Sequence, residues 1–373
     1  MDALAKDKVE VGLVLQGGGA LGAYEFGAIE ALLELMDTVD RAGRTITLAA
    51  VTGVSIGAIN AACVVGAAGR ADAKLRLNGL WSELSLGNHW WGIADHDLAL
   101  FGVHGFYKQR YDYWDVLNWK NFYDTSPMLE TLKNHVDFAA LNASPTAFVV
   151  TAVDVASGEL TRFRNHPRKD EQQIAIKPQH VLASGSLPPG FPATPIDNRT
   201  FWDGGIVDNT PLGDAIEAFS GAADVDRILV VMNLFRNKRA APKNMIEVND
   251  RLSELRYGNR LRQDGANAAV INELLQTIEA LSAAVPEAAR TPDLDRRVTQ
   301  AQRFKTLGAI TNIDLADSDL VKAAGLLEEA EDSGAFRDFS AGGIERRRKA
   351  GYRLAQVKLD EVFKARGLLP ALH

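Results

Sequence analysis

Ser55 lies in a sequence that is typical of a hydrolase nucleophile. The run Gly53 to Gly57 reads GVSIG and matches the pattern G-x-S-x-G. In this pattern the serine occupies a sharp turn between a strand and a helix, where flanking side chains would collide. The β-rich run Thr45 to Thr52 precedes the turn and the apolar run Ala58 to Ala68 follows it. The sequence therefore predicts an exposed nucleophile at Ser55, although a serine that only caps the helix fits the pattern alone.

A glycine-rich loop, GGGALG, begins at Gly17 and follows the apolar, β-rich run Val9 to Leu15. It also satisfies G-x-G-x-x-G, the fingerprint of dinucleotide-binding proteins. A nucleotide site needs an acidic residue at the end of the second strand, and Thr52 to Ser55 occupy that position. We therefore interpret Gly17, Gly18 and Gly19 as sources of backbone N–H groups for an oxyanion. A nucleotide-binding oxidoreductase is the rival interpretation.

A serine nucleophile needs a base, and Asp203 is the acidic residue best placed to serve. In α/β-hydrolases the order along the chain is serine, acid, histidine, but only the last residue, His373, follows Asp203. Asp203 comes after the β-like run Thr200 to Trp202 and before two glycines, which let another loop approach closely. We therefore expect the Asp203 carboxylate to act directly on Ser55. A simple Asp-Gly turn is the alternative.

The motifs GGGALG, GVSIG and DGG, in this order, resemble the three motifs of patatin-like phospholipases. The flanking sequence is also similar to that family, namely GAIEAL, AINAA, ASGSLPPGFP and FWDGGIVDNTPL. The resemblance covers about Val9 to Gly213. It implies that the glycine loop forms the oxyanion hole, that Ser55 attacks the substrate and that Asp203 is its base.

The same resemblance implies a lipid acyl hydrolase that works through an acyl-serine intermediate without a metal or an organic cofactor. The family's loop commonly reads GGGxRG, whereas this chain has Leu21 in place of the arginine. We therefore expect a weakened preference for charged phospholipid. The histidines show no pair at metal-ligand spacing, so His96 and His104 are interpreted as loop or packing residues.

Two consecutive strand–turn–helix units predict a parallel sheet, which positions these motifs. Apolar residues at helical spacing follow the glycine loop: Phe26, Ile29, Leu33 and Met36. Further strands are predicted at Ala147 to Val155, Glu159 to Phe163, Arg227 to Leu234 and Ala309 to Leu315. Helices are predicted around Leu274, Ile278 and Leu281, and around Tyr352, Leu354, Val357 and Val362.

The fold class predicted from these elements is an α/β three-layer sandwich with a mainly parallel central sheet. Residues 9–213 form its catalytic core, and residues 214–373 form a mostly helical extension packed on the same sheet. Aromatic residues crowd the segment from Leu80 to Tyr123. This segment fits a lid or an acyl-binding wall, and ordinary packing fits equally. The charged run Glu345 to Lys349 is expected on a solvated helix face.

The composition limits the partners of the chain. Hydrophobic residues make up 46% of the 373 residues, which is enough for a large buried core. The net charge is −7, so the overall charge does not favour binding to nucleic acid or to an anionic membrane. No apolar run reaches the length of a membrane span, and the amino terminus lacks a signal-peptide pattern. The only cysteine, Cys63, lies among small apolar residues and predicts a buried thiol.

We therefore expect a cytoplasmic protein whose partner is a lipid or another apolar ester, with peripheral contact to a lipid surface left open. A catalytically silent lipid-binding protein is a further alternative. Such a protein would more naturally have lost Ser55 or Asp203, and both are present.

Overall fold

The predicted strand at the amino terminus forms the middle of the central sheet. This strand, β1 (Lys8–Leu15), pairs in parallel with β2 (Thr45–Gly53) on one side and with β10 (Val225–Asn233) on the other. Next to β2 lies β6 (Ala147–Asp154), and next to β10 lies β11 (Thr311–Asp314), both again in parallel. Most residues of β1, β6 and β10 are buried, which explains their nearly continuous apolar sequences.

The computed structural model describes residues 7–87, 99–168, 171–220, 224–235, 241–302, 311–314 and 335–369. The prediction made for His96 lies outside these residues, as do His373 and positions 88–98 of the aromatic segment.

Three further strands complete the sheet at the edge beyond β6. Two of them, β7 (Leu160–Arg164) and β9 (Arg199–Asp203), run antiparallel to β6, and β8 (Thr194–Ile196) pairs with β9. The order across the sheet is β11-β10-β1-β2-β6-β9-β8, with β7 also paired to β6. The prediction of an α/β fold with a mainly parallel central sheet is confirmed. The strands β10 and β11 lie beyond residue 213, so the sheet extends past the predicted catalytic core.

Helices cover both faces of the sheet. The described helices of the chain are α1 (Gly22–Arg41), α2 (Ile56–Val65), α3 (Arg70–Glu83), α4 (Ser126–His135), α5 (Phe138–Ala143), α6 (Pro178–Ser184), α7 (Leu212–Glu217), α8 (Met245–Ala284), α9 (Pro292–Gln302) and α10 (Ala341–Ala365). Every residue of α2 is buried, and Cys63 with it, as the apolar sequence predicts. On the opposite face, Leu212 and Ala215 of α7 pack against Val14 and Val231.

The long carboxy-terminal helix α10 crosses α1 at very short distance. A side chain at Gly27 would collide with the backbone of Arg348, and one at Gly351 would collide with the backbone of Tyr24. Each helix therefore presents a glycine to the other at the crossing. This contact anchors the extension on the same helical layer that packs on the sheet.

The expectation that the charged run in α10 is solvated is wrong for Arg347, and Arg348 is only half-exposed. Arg347 is buried and pairs with Asp338, with Nη1 3.2 Å from Oδ2. Arg348 pairs with Glu30, with Nε 2.7 Å from Oε2, and its guanidinium lies over the ring of Phe26. The helix packs against α1 on this side, so Arg347 is neutralised by the buried Asp338 and Arg348 by the half-buried Glu30.

The aromatic segment forms a small antiparallel sheet of its own. Its strands are β3 (Gly102–Val103), β4 (Tyr107–Gln109) and β5 (Tyr123–Asp124). A short 3-10 helix, Tyr113–Asn118, connects the last two strands, and none of its residues is buried. This segment is therefore an insertion that lies outside the central sheet.

Candidate active site

The turn at Ser55 has the strained backbone of a nucleophile elbow. Ser55 has φ +54° and ψ −124°, a region that residues with side chains rarely adopt. A Cβ at Gly57 would lie 2.6 Å from the carbonyl oxygen of Leu15, and a Cβ at Gly53 would collide with the carbonyl group of Gly57. Both flanking glycines are required by these contacts. The turn directly precedes α2, so Ser55 lies at the positive end of a buried helix.

The register of β6 explains why Ser55 and Asp203 meet. A strand has two edges, and β7 occupies one edge of β6 from Val149 to Val153. The strands β2 and β9 therefore share the other edge, one after the other. Gly53 pairs with Val150 and Asp203 pairs with Ala152, two residues further along. The carboxyl ends of β2 and β9 thus face each other, and each delivers one side chain to the same place.

Asp203 is buried beside Ser55. It is 2% exposed, and both residues line the same cavity. The Gly205 N–H donates a hydrogen bond to Oδ1 at 2.8 Å. Burial raises the pKa of Asp203 to about 7, since the loss of hydration outweighs the interactions with the Gly205 N–H and the Ser55 hydroxyl that favour the carboxylate. The carboxyl group therefore changes its charge close to neutral pH.

None of the described histidines lines the cavity at Ser55. His135 lies 2.6 Å from Glu83 and His166 lies 2.8 Å from the carbonyl oxygen of Ser144. His180 belongs to α6, and burial lowers its pKa to about 4. Within the described residues, the only side-chain base that contacts Ser55 is Asp203.

The glycine loop is held by Asn209. The Gly17 N–H donates to Asn209 Oδ1 at 3.0 Å, and Asn209 Nδ2 donates to the Gly17 carbonyl at 3.1 Å. The neighbouring Gln16 donates from Nε2 to Thr210 at 2.7 Å, which adds a second connection to the same loop. The N–H of Gly17 is therefore engaged. For the N–H groups of the next two residues of the loop, no acceptor occurs among the described residues.

The two following glycines have no room for side chains. A Cβ at Gly18 would lie 2.7 Å from the side chain of Leu234. Gly19 has φ +56°, and a Cβ there would lie 2.5 Å from the carbonyl oxygen of Phe336. Both glycines line the cavity beside Ser55. The loop thus presents backbone, without side chains, to any molecule bound there.

The last residue of α6 and the segment that follows it hold the serine and the aspartate together. Ser184 Oγ accepts a hydrogen bond from the Ser55 N–H at 3.0 Å. Two residues later, the Ser186 carbonyl accepts one from the Asp203 N–H at 3.0 Å. This segment is part of ASGSLPPGFP, a sequence that is similar to the family but contains none of its three motifs. Its spacing alone gives no signal that it contacts both residues.

A cavity of about 510 Å³ opens above Ser55 and Asp203. Its wall is mostly aromatic and apolar. The rings that line it are Phe106, Tyr107, Phe122, Tyr123, Phe191, Phe235, Tyr257, Phe336 and Phe339. Four of these belong to the aromatic segment, so that segment does form a wall of the site. Such a lining suits an acyl chain more than a polar substrate.

Other residues of the aromatic segment point to solvent. Trp114 is 88% exposed and Leu117 is 97% exposed, and Tyr111 and Tyr113 are exposed beside them. Phe122 is both exposed and part of the cavity wall, so exposed apolar surface of this segment reaches the cavity. Exposed apolar patches of this kind are typical of interaction surfaces.

Comparison with known proteins places the chain in a family. The model of the patatin-like phospholipase family matches residues 13–216, more than half of the chain. The chain belongs to the patatin-like phospholipase family. Among solved structures, VipD from Legionella pneumophila shares 16% identity and a TM-score of 0.40, covering 96% of this chain and 67% of the VipD chain. No curated protein sequence gives a significant match.

Membership of this family supports lipid acyl hydrolase activity in general. Within the described residues, no group of three or more histidine, cysteine, aspartate and glutamate side chains is arranged to hold a metal ion. The described helices also include none with the length and apolar character that a bilayer span requires.

Proposed function

We propose that this protein is a serine hydrolase that cleaves an apolar ester with a Ser55–Asp203 dyad. The observation that carries the proposal is the placement of Ser55, at a strained turn, beside the buried carboxylate of Asp203 beneath an aromatic cavity. The rival nucleotide-binding function is not favoured, because β2 ends at Gly53 without an acidic residue for a ribose.

In the first step the Asp203 carboxylate accepts the hydroxyl proton while Ser55 Oγ forms a bond to the ester carbonyl carbon. The carbonyl oxygen becomes an oxyanion. Collapse of this intermediate breaks the bond to the alcohol oxygen, and that oxygen takes the proton from Asp203. The products of this step are the free alcohol and an acyl group on Ser55.

In the second step Asp203 accepts a proton from water as the water oxygen attacks the acyl-serine carbon. Release of Ser55 Oγ, with return of the proton, gives the fatty acid. A group that alternately accepts and gives a proton works best when its pKa lies near the working pH. The pKa of about 7 for Asp203 meets that condition.

The oxyanion in both steps is bound by backbone N–H groups. Of the three glycines predicted for this role, Gly17 donates its N–H to Asn209, so Gly18 and Gly19 are proposed as the donors. The amino terminus of α2 lies directly after Ser55 and adds favourable electrostatics. Gly17 and Asn209 together fix the orientation of the loop.

The acyl chain is proposed to lie along the aromatic wall of the cavity. The exposed residues around Trp114 and Leu117 then contact the lipid surface from which the substrate is drawn, since aromatic residues suit the boundary between lipid and water. A single buried cysteine, Cys63, fits a reducing, cytoplasmic location. No metal or organic cofactor takes part in the proposed reaction.

The proposal is tested by reaction with a fluorophosphonate, which labels activated serines. We expect one adduct per chain, mapped by peptide mass spectrometry to Ser55, and no adduct in Ser55→Ala. The fold of the variant is checked by circular dichroism. An adduct on another serine would contradict the assignment, and binding of a lipid without any labelling would favour a non-catalytic lipid-binding protein.

A further inference from the structure

The cavity wall carries one positively charged side chain among its described residues, Arg337. It lies on the short 3-10 helix Ala335–Arg337, far along the chain from the three motifs. Its guanidinium lies 5.0 Å from the ring centroid of Phe336, which also lines the cavity. The side chain is exposed, so it meets solvent or a bound molecule at the entrance of the site.

The positive charge of Arg337 is not neutralised by a described acidic residue. The adjacent carboxylate, Asp338, pairs instead with the buried Arg347. The glycine loop carries no cation either, because Leu21 there is an apolar, buried residue. Burial raises the pKa of Tyr107 and Tyr123, and the positive charge of Arg337 lowers the pKa of both in part. The guanidinium of Arg337 therefore lies near these two rings of the cavity wall.

The position of Arg337 ties it to the reacting groups. The carbonyl oxygen of the preceding residue, Phe336, would lie 2.5 Å from a Cβ on Gly19, so this turn packs directly on the glycine loop. Consecutive Cα atoms are about 3.8 Å apart, so Arg337 begins next to the proposed oxyanion site. An arginine side chain is long enough to reach a group attached to the alcohol part of an ester bound at Ser55.

We infer that Arg337 binds an anionic group on the alcohol part of the substrate, and that the site prefers acyl esters carrying a phosphate or a carboxylate there. The inference rests on the proposed function of Ser55 and Asp203. A planar guanidinium matches the oxygen atoms of either anion with two parallel hydrogen bonds. The residue lies outside the matched family region, so the extension completes the site.

The kinetic test compares esters with one acyl chain and different alcohol parts. The substrates are 1-lauroylglycerol, its 3-phosphate, O-lauroyl glycolate and O-lauroyl glycolamide. Arg337→Gln is expected to lower kcat/KM by about 10- to 100-fold for an anionic ester, the range typical of a hydrogen bond to a charged group. The neutral esters should change by less than about twofold, and Arg337→Lys should keep part of the preference.

Two comparisons decide between the anions and exclude a general charge effect. A loss confined to the phosphate ester assigns a phosphate site, and a loss confined to the glycolate assigns a carboxylate site. Arg296→Gln removes the same charge from an exposed residue of α9 and should leave all four rates unchanged. Equal losses on charged and neutral esters, or no loss with Arg337→Gln, would overturn the inference.

A binding measurement separates this inference from the proposed function. Ser55→Ala is titrated calorimetrically with dodecyl phosphate, alone and combined with Arg337→Gln. We expect the second substitution to raise Kd by about 10-fold or more. A wild-type enzyme that hydrolyses none of the esters would contradict the proposed function. An unchanged Kd, or no binding of dodecyl phosphate, would contradict the role of Arg337 whatever the enzyme hydrolyses.

Discussion

Replacing Asp203 with asparagine should abolish turnover and yet stabilise the fold at neutral and alkaline pH. The carboxyl group is 2% exposed, and burial raises its pKa from 3.8 to about 7. In the unfolded chain the group loses its proton near its ordinary pKa, whereas in the folded protein it keeps the proton up to about pH 7. The free energy of unfolding therefore falls once the pH exceeds the pKa of this group in the unfolded chain. It continues to fall with pH until the group also ionises in the folded protein.

The magnitude follows from the two pKa values. Each pH unit between them is worth about 1.4 kcal/mol. The resulting loss in the free energy of unfolding is close to zero below about pH 4. It reaches about 2 kcal/mol at pH 5 and levels off at about 4 kcal/mol above pH 7. An asparagine keeps an oxygen for the Gly205 N–H and carries no charge at any of these pH values. Its stability relative to the wild type should therefore rise with pH.

The assay is urea unfolding of the wild type and Asp203→Asn at pH 5 and pH 8. The free energy of unfolding of the variant minus that of the wild type should be about 2 kcal/mol larger at pH 8 than at pH 5. Asp154→Asn is the matched control on the same sheet. The pKa of Asp154 is lowered by a hydrogen bond from Arg199 and by backbone N–H groups, so this control should lose stability at both pH values. A pH-independent difference for Asp203→Asn would refute the buried-carboxylate argument.

Three further outcomes test other parts of the site. The value of kcat/KM should rise with pH through about 7, because Asp203 must be ionised to accept the serine proton; a rise completed below pH 5 would contradict this. Asn209→Leu removes both hydrogen bonds to Gly17 and should lower kcat by about 10²–10³ with the fold intact by circular dichroism; unchanged kcat would show that the loop needs no such support. The double variant Trp114→Ala/Leu117→Ala should lose activity on phosphatidylcholine vesicles but keep its activity on a soluble butyrate ester. The control is Leu75→Ala, which removes an exposed apolar side chain elsewhere on the surface. Equal losses on both substrates would argue against a lipid-contacting surface.

The motifs could be predicted from sequence because their chemistry is local. A strand, two glycines and a small-residue helix surround Ser55 within about twenty residues, and each part has its own pattern. The same holds for the strand and glycines around Asp203. The structure brings these two residues together as expected, through the shared edge of β6. That shared edge is a property of sheet pairing and leaves no mark on the spacing of residues.

The supporting residues could not be predicted, because each acts through a contact between distant parts of the chain. Asn209 holds Gly17 across 192 positions, and Ser184 holds Ser55 across 129. Both lie in sequence that resembles the family, and this resemblance is the only signal that could have identified them. Arg337 lies outside that part of the sequence. Only the packing of its turn on Gly19 places it at the site.

The central claim is that a carboxylate, without an imidazole, activates Ser55. The most direct measurement is the rate of ester hydrolysis by Asp203→Asn beside seven variants in which each histidine is replaced by glutamine. The account predicts that the asparagine variant loses activity by orders of magnitude while every histidine variant keeps most of it. A single histidine whose replacement silences a well-folded enzyme would contradict the account and restore a triad.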